Sequence, residues 1–143
     1  MARKKSDAIH AKPQEERDTS TGRFAYEGLE RVIHEKARLG IMASLLAHPG
    51  GVLFGDLKEF CSLTDGNLNR HLKVLQEAEL IEIWKGSHAN RPQTLVRITE
   101  TGRTKFVEYV AELERVVADA ARLREAEPST TQSPKFGWIF QQG

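Results

Sequence analysis

Asn67, Asn69, Arg70 and Lys73 lie close together on a segment, Thr64 to Gln76, whose leucines recur at positions 68, 72 and 75. Steps of four and then three keep the leucines on one helical face and leave amides and cations on the other. That polar face suits one chemistry in particular. An Asn amide pairs bidentately with an adenine edge and a guanidinium with a guanine edge, each discriminating by about 1–3 kcal/mol. The Lys73 ammonium would neutralise a phosphate. Asp65 and Gly66 open the same face, and Asp65 either repels phosphate or accepts from a cytosine amino group. An ordinary surface helix with a solvated polar face has the same pattern, so the flanking sequence must choose between the two.

A second polar cluster, Lys85, His88, Asn90 and Arg91, falls in a stretch with Gly86 and Pro92. Its cations suit a minor groove or flanking phosphates, or else only solubilise a surface loop. Other chemistries do not assemble. There is no Gly-rich phosphate loop, no nucleophile beside a recognisable base and no carboxylate pair in a plausible cleft, so no enzyme and no cofactor is expected. The five histidines (His10, His34, His48, His71, His88) lack metal-ligand spacing, and the single cysteine, Cys61, excludes an intramolecular disulfide or a Cys-rich metal site. His71 is expected to pack between helices. Cys61 reads as a small buried hydrophobe, with oxidant sensing as the other option.

The 143 residues suffice for one compact domain with appendages. No apolar run approaches the ~18 residues of a membrane span, and no signal-peptide core follows the basic start, so a cytoplasmic location is expected. Net charge is only +1, and charges balance between Gly55 and Arg103 as well. A nucleic-acid partner therefore requires an uneven distribution of charge over the surface.

The elements that must position these side chains can be read in order. Phe24 to Ala47 carries a helical apolar pattern, as one helix or as two broken near His34 to Ala37, ended by His48-Pro49-Gly50-Gly51. Val52-Leu53-Phe54 suffices for a short strand. Asp56 to Cys61 predicts a second helix with Leu57 and Phe60 inward. Ser62-Leu63 joins it tightly to the third helix, which Thr64 caps. A short join of this kind is the helix-turn-helix arrangement, in which the second helix reads a groove. Ile81 to Trp84 and Thr94 to Ile98 alternate apolar and polar as two antiparallel strands, with residues 85–93 as a long polar loop between them. Thr99 caps a final helix from Glu100 to about Glu125. Along it Phe106, Val110, Leu113, Val117 and Ala120 form a narrow seam, while Glu108, Glu112, Glu114 and Asp119 keep the remainder wet. The seam predicts a partner helix, with packing back onto the first helix as the alternative. Lys135 to Phe140 is apolar for a chain end and is expected to dock, on this protein's own dimer or in a partner's groove.

Particular residues also carry a family likeness. Thr64-Asp65-Gly66-Asn67-Leu68-Asn69-Arg70-His71-Leu72-Lys73-Val74-Leu75 resembles the recognition helix of ArsR- and MarR-type winged-helix regulators, with its His-Leu-Lys-x-Leu. Glu77-Ala78-Glu79-Leu80-Ile81 resembles their Glu-Ala-Gly-Leu-Val, with Glu79 in place of the usual Gly. Ile98-Thr99-Glu100-Thr101-Gly102-Arg103 resembles the Leu-Thr-x-x-Gly-Arg that follows the wing. The likeness covers about Leu29 to Leu113. No Cys-x-Cys pair supports thiolate metal sensing.

The resemblance implies a mainly α fold with a small β-hairpin, a winged helix-turn-helix domain with a long C-terminal dimerisation helix. The expected organisation is a disordered polar tail over 1–22, a winged-helix DNA-binding domain over 23–98, a dimerisation helix over 99–126 and a flexible tail with an apolar end over 127–143. The implied function is a homodimeric, sequence-specific transcriptional regulator on near-palindromic double-stranded DNA. Asp65, Gly66, Asn67, Asn69, Arg70 and Lys73 would occupy the groove. Lys85, His88, Asn90 and Arg91 would contact DNA from the wing, with Arg97 a further phosphate candidate. Phe106, Val110, Leu113, Val117 and Ala120 would line the dimer interface. A winged-helix protein-interaction module without DNA binding is the competing reading. A small-molecule effector between the long helix and the first helix fits this layout but has no residue pattern of its own.

Overall fold

A computed structural model of the chain describes residues 22–126. The expectations for the N-terminal tail, the C-terminal spacer and the apolar Lys135 to Phe140 segment lie outside the described residues. Helix α1 runs over Lys36–Ala47, strand β1 over Val52–Leu53, α2 over Phe54–Cys61 and α3 over Asp65–Glu77. Strands β2 (Ile81–His88) and β3 (Arg91–Ile98) follow, then α4 (Glu100–Ala126). The sheet is antiparallel in the order β1-β3-β2, with Val52 opposite Val96 and Ile83 opposite the same residue on the other side. Ile33, Ile41, Met42, Leu45, Leu57, Leu68, Leu75 and Val96 are fully buried where α1, α2 and α3 meet the sheet.

The sequence left open whether Phe24 to Ala47 is one helix or two; only its second half is a regular helix. Residues 22–35 form a chain of turns, with Tyr26 at a positive φ of 49°. Glu35 then caps α1, its carboxylate accepting from the Arg38 N–H at 3.0 Å. The turns are held by long-range polar contacts that the apolar pattern could not reveal. Asp119 on α4, expected to face water, is 6% exposed. It accepts from Arg23 Nη1 and Nη2 at 3.2 Å, from the Tyr26 hydroxyl at 2.6 Å and from Arg122 at 2.8 Å. The Arg23 guanidinium and the Tyr26 hydroxyl hold its carboxyl well below the usual carboxylate range. Glu112 is buried likewise, under Gly28, whose missing side chain leaves room for it. His34 Nδ1 and the Tyr109 hydroxyl, 2.8 Å apart, complete this strap.

Phe60 departs from expectation in the other direction. It is 57% exposed, stacked on the His48 ring at the far end of α1. The eight-residue α2 buries only Leu57 fully, because its inward face runs through Phe54, Leu57 and Cys61, at steps of three and four, and leaves Phe60 to one side. Cys61 is half-buried, and burial pushes its thiol pKa up, as suits an unreactive side chain.

The turn between α3 and β2 accommodates the Glu79 departure without changing shape. Glu79 adopts φ 65°, its N–H bonds Gln76 O at 2.9 Å, and the Leu80 N–H bonds Leu75 O at 3.0 Å. This pair of bonds defines a Schellman close, which normally places glycine where Glu79 stands. A left-handed non-glycine residue costs about 1–2 kcal/mol, of which glycine's extra unfolded-state freedom would return about 0.5–1 kcal/mol. Glu79→Gly should therefore stabilise the protein by about 0.5–1 kcal/mol in urea unfolding. A loss of stability would contradict this account of the turn.

Candidate nucleic-acid interface

The face presented by α3 is set by three local devices. Ser62, at φ 55°, closes α2 with Ser62 N–H to Glu59 O and Leu63 N–H to Lys58 O. Thr64 then caps α3, its hydroxyl accepting from the Asn67 N–H at 3.2 Å. Lys58 reaches across the turn to Asp65 at 2.9 Å, so the acid at the head of the face has a cation beside it. Leu68, Leu72 and Leu75 are buried, while Asp65, Gly66, Asn67, Asn69, Arg70 and Lys73 are all exposed. The Arg70 guanidinium donates to Asn67 Oδ1 at 3.1 Å, one turn apart on the outer face.

His71 is buried between helices, as its place among the leucines suggests. Its Nδ1 lies 3.2 Å from Arg38 Nη1 and 3.9 Å from Glu35 Oε1. A guanidinium can only donate, so Nδ1 accepts and the ring is neutral with its proton on Nε2. Burial is the main cause that lowers the His71 pKa from its ordinary value; Glu35 opposes this, and Arg70 and Arg38 reinforce it.

The wing differs from its expected form. Instead of a nine-residue loop, β2 and β3 stay paired out to His88 opposite Arg91. Only Ala89 and Asn90 turn the chain, at φ 53° and 63°. Two successive positive φ values mark the primed turn that matches the strand twist. Asn tolerates that conformation, but an alanine there gives no turn signal, and Gly86 and Pro92 look like loop residues although both are paired. Alternation then sorts the wing cations. Lys85 shares a face with Thr94 and Pro92 and lines a cleft of about 810 Å³ between the wing and α3. His88, Arg91 and Arg97 have the opposite parity, with Arg97 over the exposed Trp84 ring at 5.9 Å. Asn90 sits at the tip. Arg97 thus lies on the face turned away from α3.

The cleft also gathers Gly55, Asp56, Asn69, Gln76 and Thr94. Of these only Asn69 stands out in the sequence. Gln76 was missed, although Asn69, Lys73 and Gln76 follow at i, i+4 and i+7 on one face and that spacing could have found it. Gly55 and Thr94 carry no such mark, because α2, α3 and the sheet edge converge only on folding.

On α4 the expected seam divides. Phe106 is 4% exposed and stacks on Tyr109 in this chain's own core. It cannot meet a partner helix, because the domain reaches that far along α4. Val110 and Leu113 lie partly against the same core, whereas Val117 is 62% exposed and Ala120 is exposed beyond it.

Three helices, a small antiparallel sheet with a protruding hairpin and a polar face on the helix after a tight turn define a winged helix-turn-helix protein. Residues 37–117 match the winged helix DNA-binding domain family, and the chain belongs to it. It is 43% identical over 60 residues to an uncharacterised protein of Methanocaldococcus jannaschii, a stretch covering 42% of this chain and 65% of that one. A solved structure titled as a transcriptional regulator homologue from Pyrococcus horikoshii aligns with a TM-score of 0.59 at 31% identity. That alignment covers 64% of this chain and 89% of the Pyrococcus chain. A MarR-family transcriptional regulator from Silicibacter pomeroyi shares the fold (TM-score 0.50, 19% identity, 73% and 70% covered). No described helix is long and apolar enough to cross a membrane.

Proposed function

We propose that this protein is a transcriptional regulator that binds double-stranded DNA sequence-specifically as a homodimer. The observation that carries the reading is the sorting of α3, with its leucines and His71 buried while Asn67, Asn69, Arg70 and Lys73 all face solvent. Asn67, Asn69 and Arg70 read base edges in the major groove, and Asp65 and Gly66 face the groove at its head. Lys73 and, across the cleft, Lys85 hold phosphates. Asn90 and His88 reach the flanking groove from the wing tip, and Arg91 holds a phosphate beside it. Two copies joined along the exposed part of α4, through Val117 and Ala120, would set their α3 helices about 34 Å apart, one turn of DNA. The domain division, with a DNA-binding unit over 23–98 and a dimerisation helix over 99–126, belongs to this reading.

Selection from a random duplex pool tests it. The expected result is enrichment of a near-palindromic motif with half-sites one helical turn apart. Absence of any enriched sequence would favour the protein-interaction alternative. On the enriched duplex, Arg91→Ala should weaken all sequences alike and lower the slope of log K against log salt by about 1. An unchanged slope would remove Arg91 from the phosphate contacts.

A further inference from the structure

Behind the outer face of α3, three ionisable side chains meet that the DNA-reading assignment does not use. His71 is 5% exposed. Its imidazole faces Arg38 and Glu35 on the α1 side and Arg70 on its own helix. Arg38 is fixed from two directions: its Nε donates to Val32 O at 2.6 Å, and its Nη1 donates to His71 Nδ1 at 3.2 Å. The Glu35 carboxylate caps α1 through the Arg38 N–H and lies 3.9 Å from the same imidazole nitrogen. One nitrogen on α3 therefore stands between a cation that requires it to accept and an anion that would welcome it as a donor.

We infer that Glu35, Arg38 and His71 form a proton-sensitive brace that fixes α3 against α1 while His71 is neutral and releases it when His71 takes a proton. A protonated Nδ1 can no longer accept from Arg38 and repels it in a buried site. It turns instead to Glu35, competing for the carboxylate that caps α1. The first change loosens α3, which carries Asn67, Asn69 and Arg70, from α1, and the second weakens the start of the helix it leans on, so acid loosens the reading head. This inference rests on the assignment of α3 as the DNA-reading helix.

The sign follows from linkage. Burial favours the neutral ring in the folded state, so the unfolded chain takes up the proton first, near pH 6.5. Stability contributed by the neutral ring is complete above that pH. It is lost as pH falls below it, down to the lower midpoint of the folded state. In that window the folding equilibrium constant should drop by up to about tenfold per pH unit.

The experiment has three arms on the full chain, comparing wild type with His71→Asn, which keeps an acceptor for Arg38 and cannot titrate. Imidazole resonances followed by NMR should show His71 titrating below the ordinary histidine value. Arg38→Gln, which removes the facing cation, should raise that midpoint. Urea unfolding between pH 5 and 8 should show the acid-side loss in wild type and its absence in His71→Asn. Anisotropy with a fluorescein-labelled duplex from the selected pool should show affinity falling more from pH 7.5 to 5.5 in wild type than in the variant. An unshifted His71 midpoint, or equal pH dependence of the two proteins in either of the other arms, would overturn the brace. Failure of both proteins to bind duplex at pH 7.5 would overturn the DNA reading by itself, while the NMR and urea arms still decide the brace. If His71→Asn does not fold, the Arg38→Gln midpoint decides the case, and a midpoint equal to wild type rejects it.

Discussion

Replacing Gly102 with alanine should destabilise the protein by about 3 kcal/mol, as an overpacked site does, although helix propensity alone predicts a gain of about 1 kcal/mol for that exchange. Gly102 lies in the first turn of α4, pressed against the backbone where α3 closes. A Cβ there would overlap the Leu80 carbonyl oxygen, sit 2.9 Å from the Leu80 carbonyl carbon and come within 3.1 Å of Ile98 Cγ1. The carbonyl cannot swing aside, because it already accepts the Thr99 N–H at 3.0 Å. Thr99 ties the same corner together: its hydroxyl donates to Glu79 O and accepts the Gly102 N–H, both at 2.8 Å. The end of α3, the root of the wing and the start of α4 therefore meet at one residue without a side chain. Equilibrium unfolding in urea measures the cost. A variant as stable as wild type would mean that α4 can slide away from Leu80, and the account of this corner would be wrong.

Arg70→Ala should weaken binding to the selected duplex by about 1–3 kcal/mol, roughly 5- to 150-fold, and relax preference at one base pair. Its stability should stay within about 0.5 kcal/mol of wild type, since Arg70 is exposed and its only described hydrogen bond is to exposed Asn67. Arg70→Lys separates charge from geometry. An ammonium keeps the cation but loses the two-pronged fork, so affinity for random duplex should persist while the base preference fades. Quantitative binding to the selected site and to its single-base variants reads both effects. If Arg70→Ala keeps the full sequence preference, the reading head is not where this arrangement puts it.

The core and the order of elements were legible because they depend on local periodicity. Leu68, Leu72 and Leu75 name their own face, Thr64 and Thr99 announce helix starts, and alternation marks Ile81 to Trp84 and Thr94 to Ile98 as strands. Four features were not legible, two because the cause lies far along the chain and two because the local pattern carries no signal for them. Phe60 has an inward spacing from Leu57, but the core takes the neighbouring face of that helix, through Phe54, Leu57 and Cys61. Asp119 resembles any surface acid until Arg23 and Tyr26, more than ninety residues away, are folded onto it. Phe106 fits a seam for a partner helix, yet the domain's own core takes it. The pairing of the wing strands out to His88 and Arg91 carries no mark either, because Ala89 gives no turn signal.

The candidate site shows the same division. Which side chains of α3 face outward follows from a repeat of 3.6 residues against leucine spacing, a property of one helix that needs no neighbour. Which wing cation stands across from α3 depends on strand pairing. A slip of one residue would exchange Lys85 for a residue of the opposite face, and only the observed register puts Lys85 on the cleft that Asn69 and Gln76 also line. The brace at His71 needs still more, a buried contact between α1 and α3. There the strength of a charge depends on what surrounds it, and no stretch of sequence carries that information alone.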